Sequence, residues 1–287
     1  GLILGLAGGL SVLTRPVFLP FFAVSMVWLI VSLVKKQVNI NKLSLGILCI
    51  VAGFCVVTLP VAMKSYQVMH KASILPHSGG VNLYIGNNAN FKETINIRPG
   101  HHWNELMAEP LQETGVQSHH GAQAYFKQKS LDYMTHEPLD FFNRIGYKTS
   151  QFISSREMPR NVDIYLFRQW SVLLSAGVFK VSNAGFPFII LLPFSVLGAF
   201  FGFRKIPLPF WFFLLVYPAS VILFFVTARY RMPIIPVLSV LAGCSVVTLF
   251  GMIKNRSYQK LGAAVVVMAL IAVVMVLPGP FYEEKVN

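Results

Sequence analysis

Acidic residues are scarce: eleven Asp and Glu stand against 24 Lys and Arg in 287 positions. None lies inside a long apolar run. Proton relays and ion pathways rely on intramembrane carboxylates, so their lack argues against a proton-coupled transporter. Charge of either sign is thin, at 12% of residues, where a soluble domain carries about a quarter. A surface able to hold this chain in water is therefore missing. Cysteine is rare too. Cys49, Cys55 and Cys244 all fall in apolar runs, where a free thiol behaves as a small hydrophobe. They indicate no disulfide and no metal. A Walker loop, a Rossmann glycine pattern and a Gly-x-Ser-x-Gly elbow are absent, along with the chemistry each supports. Gly1 stands within an apolar run without an initiator methionine or a basic signal-peptide start. The chain reads as the downstream part of a longer protein.

What is present is apolar, at 55% of residues. A membrane-spanning helix needs about 20 such residues in sequence. Runs of that order occupy 17–34, 43–62, 186–203, 208–227, 232–253 and 261–278. Residues 1–13 read as the end of a truncated span. The expected fold is an all-α integral membrane protein with about seven transmembrane helices, the first truncated. Residues 1–62 hold the first three, and 186–280 the last four. Residues 63–185 form a mainly helical domain inserted between the third and fourth, and 281–287 a tail on the same side.

Basic residues set the orientation. Lys35, Lys36 and Lys42, then Arg204 and Lys205, then Lys254, Arg256 and Lys260 occupy three short loops on one side. By the positive-inside rule that side is the cytoplasm. The expected location is the inner (plasma) membrane, with 63–185 extracytoplasmic. Net charge is +13, but the cations flank membrane segments and form no basic stripe with interleaved aromatics. The partner they suit is a lipid bilayer and an anionic ligand, with no nucleic acid.

The inserted segment carries nine of the acids and all seven histidines. Residues 78–88 suggest a turn, a short strand and another turn. A helix is expected from about His102, broken or restarted at Pro110. Ser118 suits the cap of a second, running to about Thr135. Pro138 opens a third, to about Phe152. On that helix Leu139, Phe142, Ile145, Phe152 and Ile153 share one side, with Arg144 and Lys148 on the other. The pattern suits an amphipathic helix on the membrane surface, and also a helix packed on soluble neighbours.

The strongest functional signal is Arg229-Tyr230-Arg231, held between two apolar runs on the outer side, where short loops usually avoid positive charge. Arg15, in Leu13-Thr14-Arg15-Pro16, marks a second outer break. Guanidinium forks match phosphate oxygens two at a time, and a polyprenyl phosphate places its anion at this depth. Interfacial snorkelling gives the same pattern without a ligand. Asn82, Tyr84, Asn87 and Asn88 lie in a Gly/Asn-rich stretch that suits either sugar hydroxyls or a plain turn. Glu157 and Asn161 could organise an arginine. Glu157 also leaves a divalent cation open as a cofactor; no other cofactor is indicated. His101-His102 and His119-His120 lack a Cys or carboxylate cluster at ligand spacing, so no metal site is assigned.

Taken in order, these segments resemble a family. Gly5-Leu6-Ala7-Gly8-Gly9-Leu10-Ser11-Val12-Leu13-Thr14-Arg15-Pro16 resembles a "GLA-x-LTRP" helix end. Gly79-Gly80-Val81-Asn82-Leu83-Tyr84-Ile85-Gly86-Asn87-Asn88 is similar to a "GG-x-NLYIGNN" loop. Glu157-x-Pro159-x-Asn161 with Asp163-Ile164-Tyr165 resembles the segment before the membrane return. Arg229-Tyr230-Arg231-Met232-Pro233 resembles an "RYR-x-P" turn. The family is the GT-C superfamily of integral-membrane glycosyltransferases, in its bacterial branch allied to protein O-mannosyltransferases and lipid A aminoarabinose transferases. The resemblance implies sugar transfer from a polyprenyl-phosphate donor to a glycan, lipid or protein acceptor on the outer side. It implies a general base in the first outer loop, upstream of Gly1, so no catalytic residue is assigned in this chain. A lipid-linked sugar transporter or flippase component using the same arginines is the alternative.

Overall fold

A computed structural model describes residues 1–97, 100–158 and 163–277. Asn161 and the tail 281–287 lie outside them. Four helices are long and apolar enough to cross a membrane. They are α2 (Phe18–Lys35), α3 (Ile40–Met69), the stretch Ala228–Lys254, and α15 (Tyr258–Val276). Three shorter apolar helices accompany them: α1 (Leu2–Thr14), α11 (Phe188–Gly202) and α12 (Leu208–Phe224). All seven apolar runs are thus helical. On the long four, this is a membrane protein of the all-α class. None of α2 is buried, and Val27, Val31 and Val34 stand exposed on it. Water would not tolerate such a face, whereas lipid does.

The helices pack through small residues. A Cβ at Gly5 would come within 2.0 Å of Ile50 O, and one at Gly53 within 2.3 Å of Leu2 O. Backbones of α1 and α3 therefore touch, as small residues permit in membrane helix pairs. Ser195 donates to Leu238 O at 2.7 Å and fastens α11 to the stretch Ala228–Lys254. Helix α3 runs on past 62, where the apolar run ends, and carries Pro60 inside it.

The segment between α3 and α11 is mainly helical. It comprises α4 (Gly79–Gly86), α5 (Phe91–Thr94), α6 (His101–Thr114), α7 (His119–His136) and α8 (Pro138–Ile153), then α9 (Ile164–Phe167) and α10 (Val172–Gly177). A small antiparallel hairpin, Phe179–Val181 with Ala184–Phe186, leads into α11. Ser118 Oγ accepts from Gly121 N at 3.1 Å, capping α7 as expected, and Pro138 opens α8. Pro110 does not break α6, which passes through it.

Two expectations fail here. Residues 79–86 form a helix, not a strand. Val81, Tyr84 and Ile85 are its buried side chains, beside the buried Gly86, a three-to-four spacing that a short apolar stretch hides beneath its turn-like glycines. Those glycines serve packing: a Cβ at Gly80 would lie 2.0 Å from Gln123 O, and one at Gly86 1.7 Å from Phe224 O. On α8 it is only the solvated basic side that fails: that side packs inward, as in the alternative of a helix resting on its neighbours. Arg144 bonds Asp140 and the Asn88 carbonyl, and Lys148 is fully buried. Leu139 and Phe142 point outward, while Phe152 packs in the core.

Candidate functional site

Where the α1–α2 break, the start of α4 and the end of α12 meet, they enclose a 540 Å³ pocket. Arg15 enters from the break. The ring of Pro16 disfavours helical backbone at the residue before it, and Arg15 is extended, with φ −144°. Arg229 and Tyr230 enter from α13 (Ala228–Arg231), which follows an extended turn after α12. The Arg15 and Arg229 guanidinium carbons lie 5.3 and 5.5 Å from the centroid of the Tyr230 ring. That ring gathers two like charges into one pocket. Its backbone is held from beneath by Tyr217, fully buried on α12, whose hydroxyl donates to Tyr230 O at 2.7 Å. A further tie comes from Ala228 N, which donates to Met158 O at 2.9 Å.

The opposite wall is α4. Asn82 lines the pocket, its amide donating to Ser78 Oγ at 3.2 Å. The first turn of α4 opens beside it, and the positive end of a helix favours an anion there. Trp103 and Met158 supply apolar walls. Among the described residues no carboxylate lines the pocket, and neither Arg15 nor Arg229 has an acidic partner. The site therefore presents two guanidiniums, an amide and apolar walls, which is the chemistry of an amphiphilic anion's receptor.

The sequence candidates divide. Arg15, Asn82, Arg229 and Tyr230 come together in this pocket. Arg231 does not join them. It is 1% exposed, and its guanidinium donates to Ser154 O at 2.5 Å, Arg156 O at 2.8 Å and Glu157 Oε2 at 2.8 Å, over the ring of Phe188. Glu157 is thus the counter-charge of Arg231. Asn87 and Asn88 are buried and occupied. The Asn87 amide donates to Leu83 O and Leu223 O, and its Oδ1 accepts from Lys148 Nζ at 2.9 Å. Asn88 donates to Tyr84 O and Thr94 Oγ1. Tyr84 faces a different cleft.

Lys148 was not singled out as a site residue. It bonds Asn87 Oδ1 and the Phe224 carbonyl at the C-terminus of α12, where a cation suits the dipole. Burial, and then Arg144 nearby, lower its pKa from 10.5 to about 7. At the start of α6, His101 and His102 Nδ1 lie 3.1 and 3.0 Å from the Glu105 carboxylate. A carboxylate therefore does stand at ligand spacing from these histidines, contrary to the sequence reading, because Glu105 follows His101 by one helical turn. All three are exposed.

No family model, curated protein or solved structure matches this chain.

Proposed function

We propose that the protein transfers a sugar from a polyprenyl-phosphate-linked donor to an acceptor on the extracytoplasmic face of the inner membrane, as a glycosyltransferase of the GT-C type with seven crossings. One observation carries this reading: Arg15 and Arg229 converge on Tyr230 in a pocket that no carboxylate lines among the described residues, beside apolar helices. In the reaction, the acceptor oxygen forms a bond to the sugar's anomeric carbon. The bond from that carbon to the phosphate oxygen breaks, and the acceptor proton passes to a carboxylate base that the described lining of this pocket does not supply. The two guanidiniums stabilise the charge growing on the departing phosphate. The apolar walls at Trp103 and Met158 keep the site dry, which strengthens that attraction.

The test uses the protein in lipid nanodiscs and undecaprenyl phosphate as probe, with binding read by native mass spectrometry. Arg15→Ala and Arg229→Ala are each expected to weaken binding by roughly tenfold or more, the loss of one charge-assisted contact of about 1.5–3 kcal/mol. Unchanged binding in both variants would remove the pocket from the reaction. With a polyprenyl-phosphate sugar supplied, a glycosylated product supports transfer. Movement of the lipid across the bilayer without product would assign the pocket to a carrier.

A further inference from the structure

Residues 164–181 carry an apolar surface that the arginine pocket does not use. It runs over α9, a 3₁₀ turn at Arg168–Trp170, α10 and the first strand of the hairpin. Trp170 is 68% exposed, Val172 87% and Leu173 85%, and Leu166, Phe167 and Val181 stand exposed with them. Phe167 and Trp170 meet edge to face at 5.0 Å, so the outward rings form one patch. Helix α10 buries none of its six residues. Packing within the protein therefore does not account for its apolar sequence. A folded surface seldom shows water so many large apolar side chains in so short a stretch.

A second observation, independent of exposure, fixes the depth of this patch. Ser155 N donates to Met275 O at 3.2 Å, in the last turn of α15. That helix is long and apolar enough to cross a membrane, and it ends at Val276. The Ser155 hydroxyl donates to Asn183 O at 2.8 Å and accepts from Gly185 N at 3.2 Å, which ties the hairpin to the same point. Tyr165 Oη accepts from Glu157 N at 3.0 Å and tethers α9. From the hairpin the chain passes into the apolar helix α11, whose first residue, Phe188, is buried. The patch thus sits where one apolar helix ends and another begins, at the edge of a bilayer. Tryptophan concentrates at that edge. Charge agrees: between positions 164 and 187 stand Arg168 and Lys180 and no acid. Cations flanking an apolar face suit anionic headgroups above acyl chains.

We infer that residues 164–181 form a wedge that inserts Trp170, Val172 and Leu173 into the bilayer leaflet at which α15 ends. Its partner is a lipid surface with anionic headgroups. Through Tyr165 and the hairpin the wedge braces residues 154–158 against the bilayer, and this stretch carries Met158 to the wall of the arginine pocket. Insertion does not depend on what that pocket binds.

The test places a nitroxide by Leu173→Cys, with Cys49, Cys55 and Cys244 replaced by alanine, in nanodiscs of phosphatidylglycerol and phosphatidylcholine. Power saturation compares collisions with oxygen, which partitions into lipid, and with a neutral nickel chelate, which stays in water. Val247→Cys, exposed on the stretch Ala228–Lys254, supplies the lipid reference. Gln112→Cys, exposed on α6, supplies the aqueous one. The label at position 173 is expected to match the lipid reference, with an oxygen-to-nickel ratio several-fold above that at 112. A ratio equal to that at 112 would overturn the inference. So would low access to both reagents, which would put a second copy of the chain over the patch. A second measurement leaves the native cysteines in place. The emission difference between wild type and Trp170→Phe belongs to Trp170, and brominated acyl chains should shrink it several-fold. A difference that bromination leaves unchanged would place Trp170 in water and refute the wedge.

Discussion

Replacing Arg231 and Arg229 by alanine should have opposite consequences, although the two residues stand one apart in a single motif. Arg231 is 1% exposed and holds the carbonyls of Ser154 and Arg156, with a longer bond to Phe152 O at 3.3 Å. It also pairs with Glu157, whose side chain is 20% exposed. Arg231→Ala strands these acceptors. Each buried carbonyl left without a donor costs about 1 kcal/mol or more. Breaking a fully buried ion pair costs about 3–5 kcal/mol, but Glu157 can rehydrate through its exposed edge, so the lower end applies. The cavity against Phe188 adds to this. These costs overlap, because the carbonyls and the ion pair lose one and the same guanidinium, so the net loss is about 3–5 kcal/mol and not their sum; at about 2–4 °C per kcal/mol it lowers the melting temperature by roughly 6–20 °C. Arg229, exposed and with no acidic partner among the described residues, should leave that temperature within about 1–2 °C, as surface substitutions usually do. The assay is thermal unfolding of both purified variants in the same detergent, followed by intrinsic fluorescence. An Arg231→Ala protein that melts with the wild type while losing undecaprenyl phosphate would refute the reasoning. It would return Arg231 to the ligand.

Further outcomes follow from other contacts. Gly86→Ala drives a Cβ into Phe224 O and should separate α4 from α12, costing about 1–3 kcal/mol in thermal unfolding. Tyr217→Phe removes the hydroxyl that holds Tyr230 O. It should cost about 1 kcal/mol of stability and weaken undecaprenyl phosphate binding, since Tyr230 gathers both arginines. Lys148 keeps its proton to about 10.5 when unfolded but only to about 7 when folded. Between those values the unfolded chain binds more protons, so stability rises with pH through that window. Comparing melting temperatures of the wild type and Lys148→Met from pH 6 to pH 10 isolates this share, which should vanish in the variant.

Much of the architecture was legible because it depends on local composition. Seven apolar runs became seven helices, since lipid leaves the backbone no partner but itself. The caps at Ser118 and Pro138 were legible for the same reason: a cap bonds its own chain a few residues on. The stretch 79–88 misled because glycine has two uses. Read alone, Gly79-Gly80 and Asn87-Asn88 signal turns. In the structure Gly80 and Gly86 admit neighbouring backbones, and the asparagines tie α4 to α12 and α5. The partners responsible, Gln123 and Phe224, are remote in sequence.

The arginines mark the same boundary. The sequence by itself determined that this is a membrane chain, helical throughout its apolar runs, with arginines set where they join. Composition and periodicity suffice for that, because hydropathy and helix formation are properties of neighbouring residues. Only the tertiary structure decided which arginine meets a protein carboxylate and which faces a pocket. Glu157 lies 74 residues before Arg231, and Arg15 comes from the other end of the chain to share a ring with Arg229. Burial and pairing are set by the packing of distant segments, which no local pattern records.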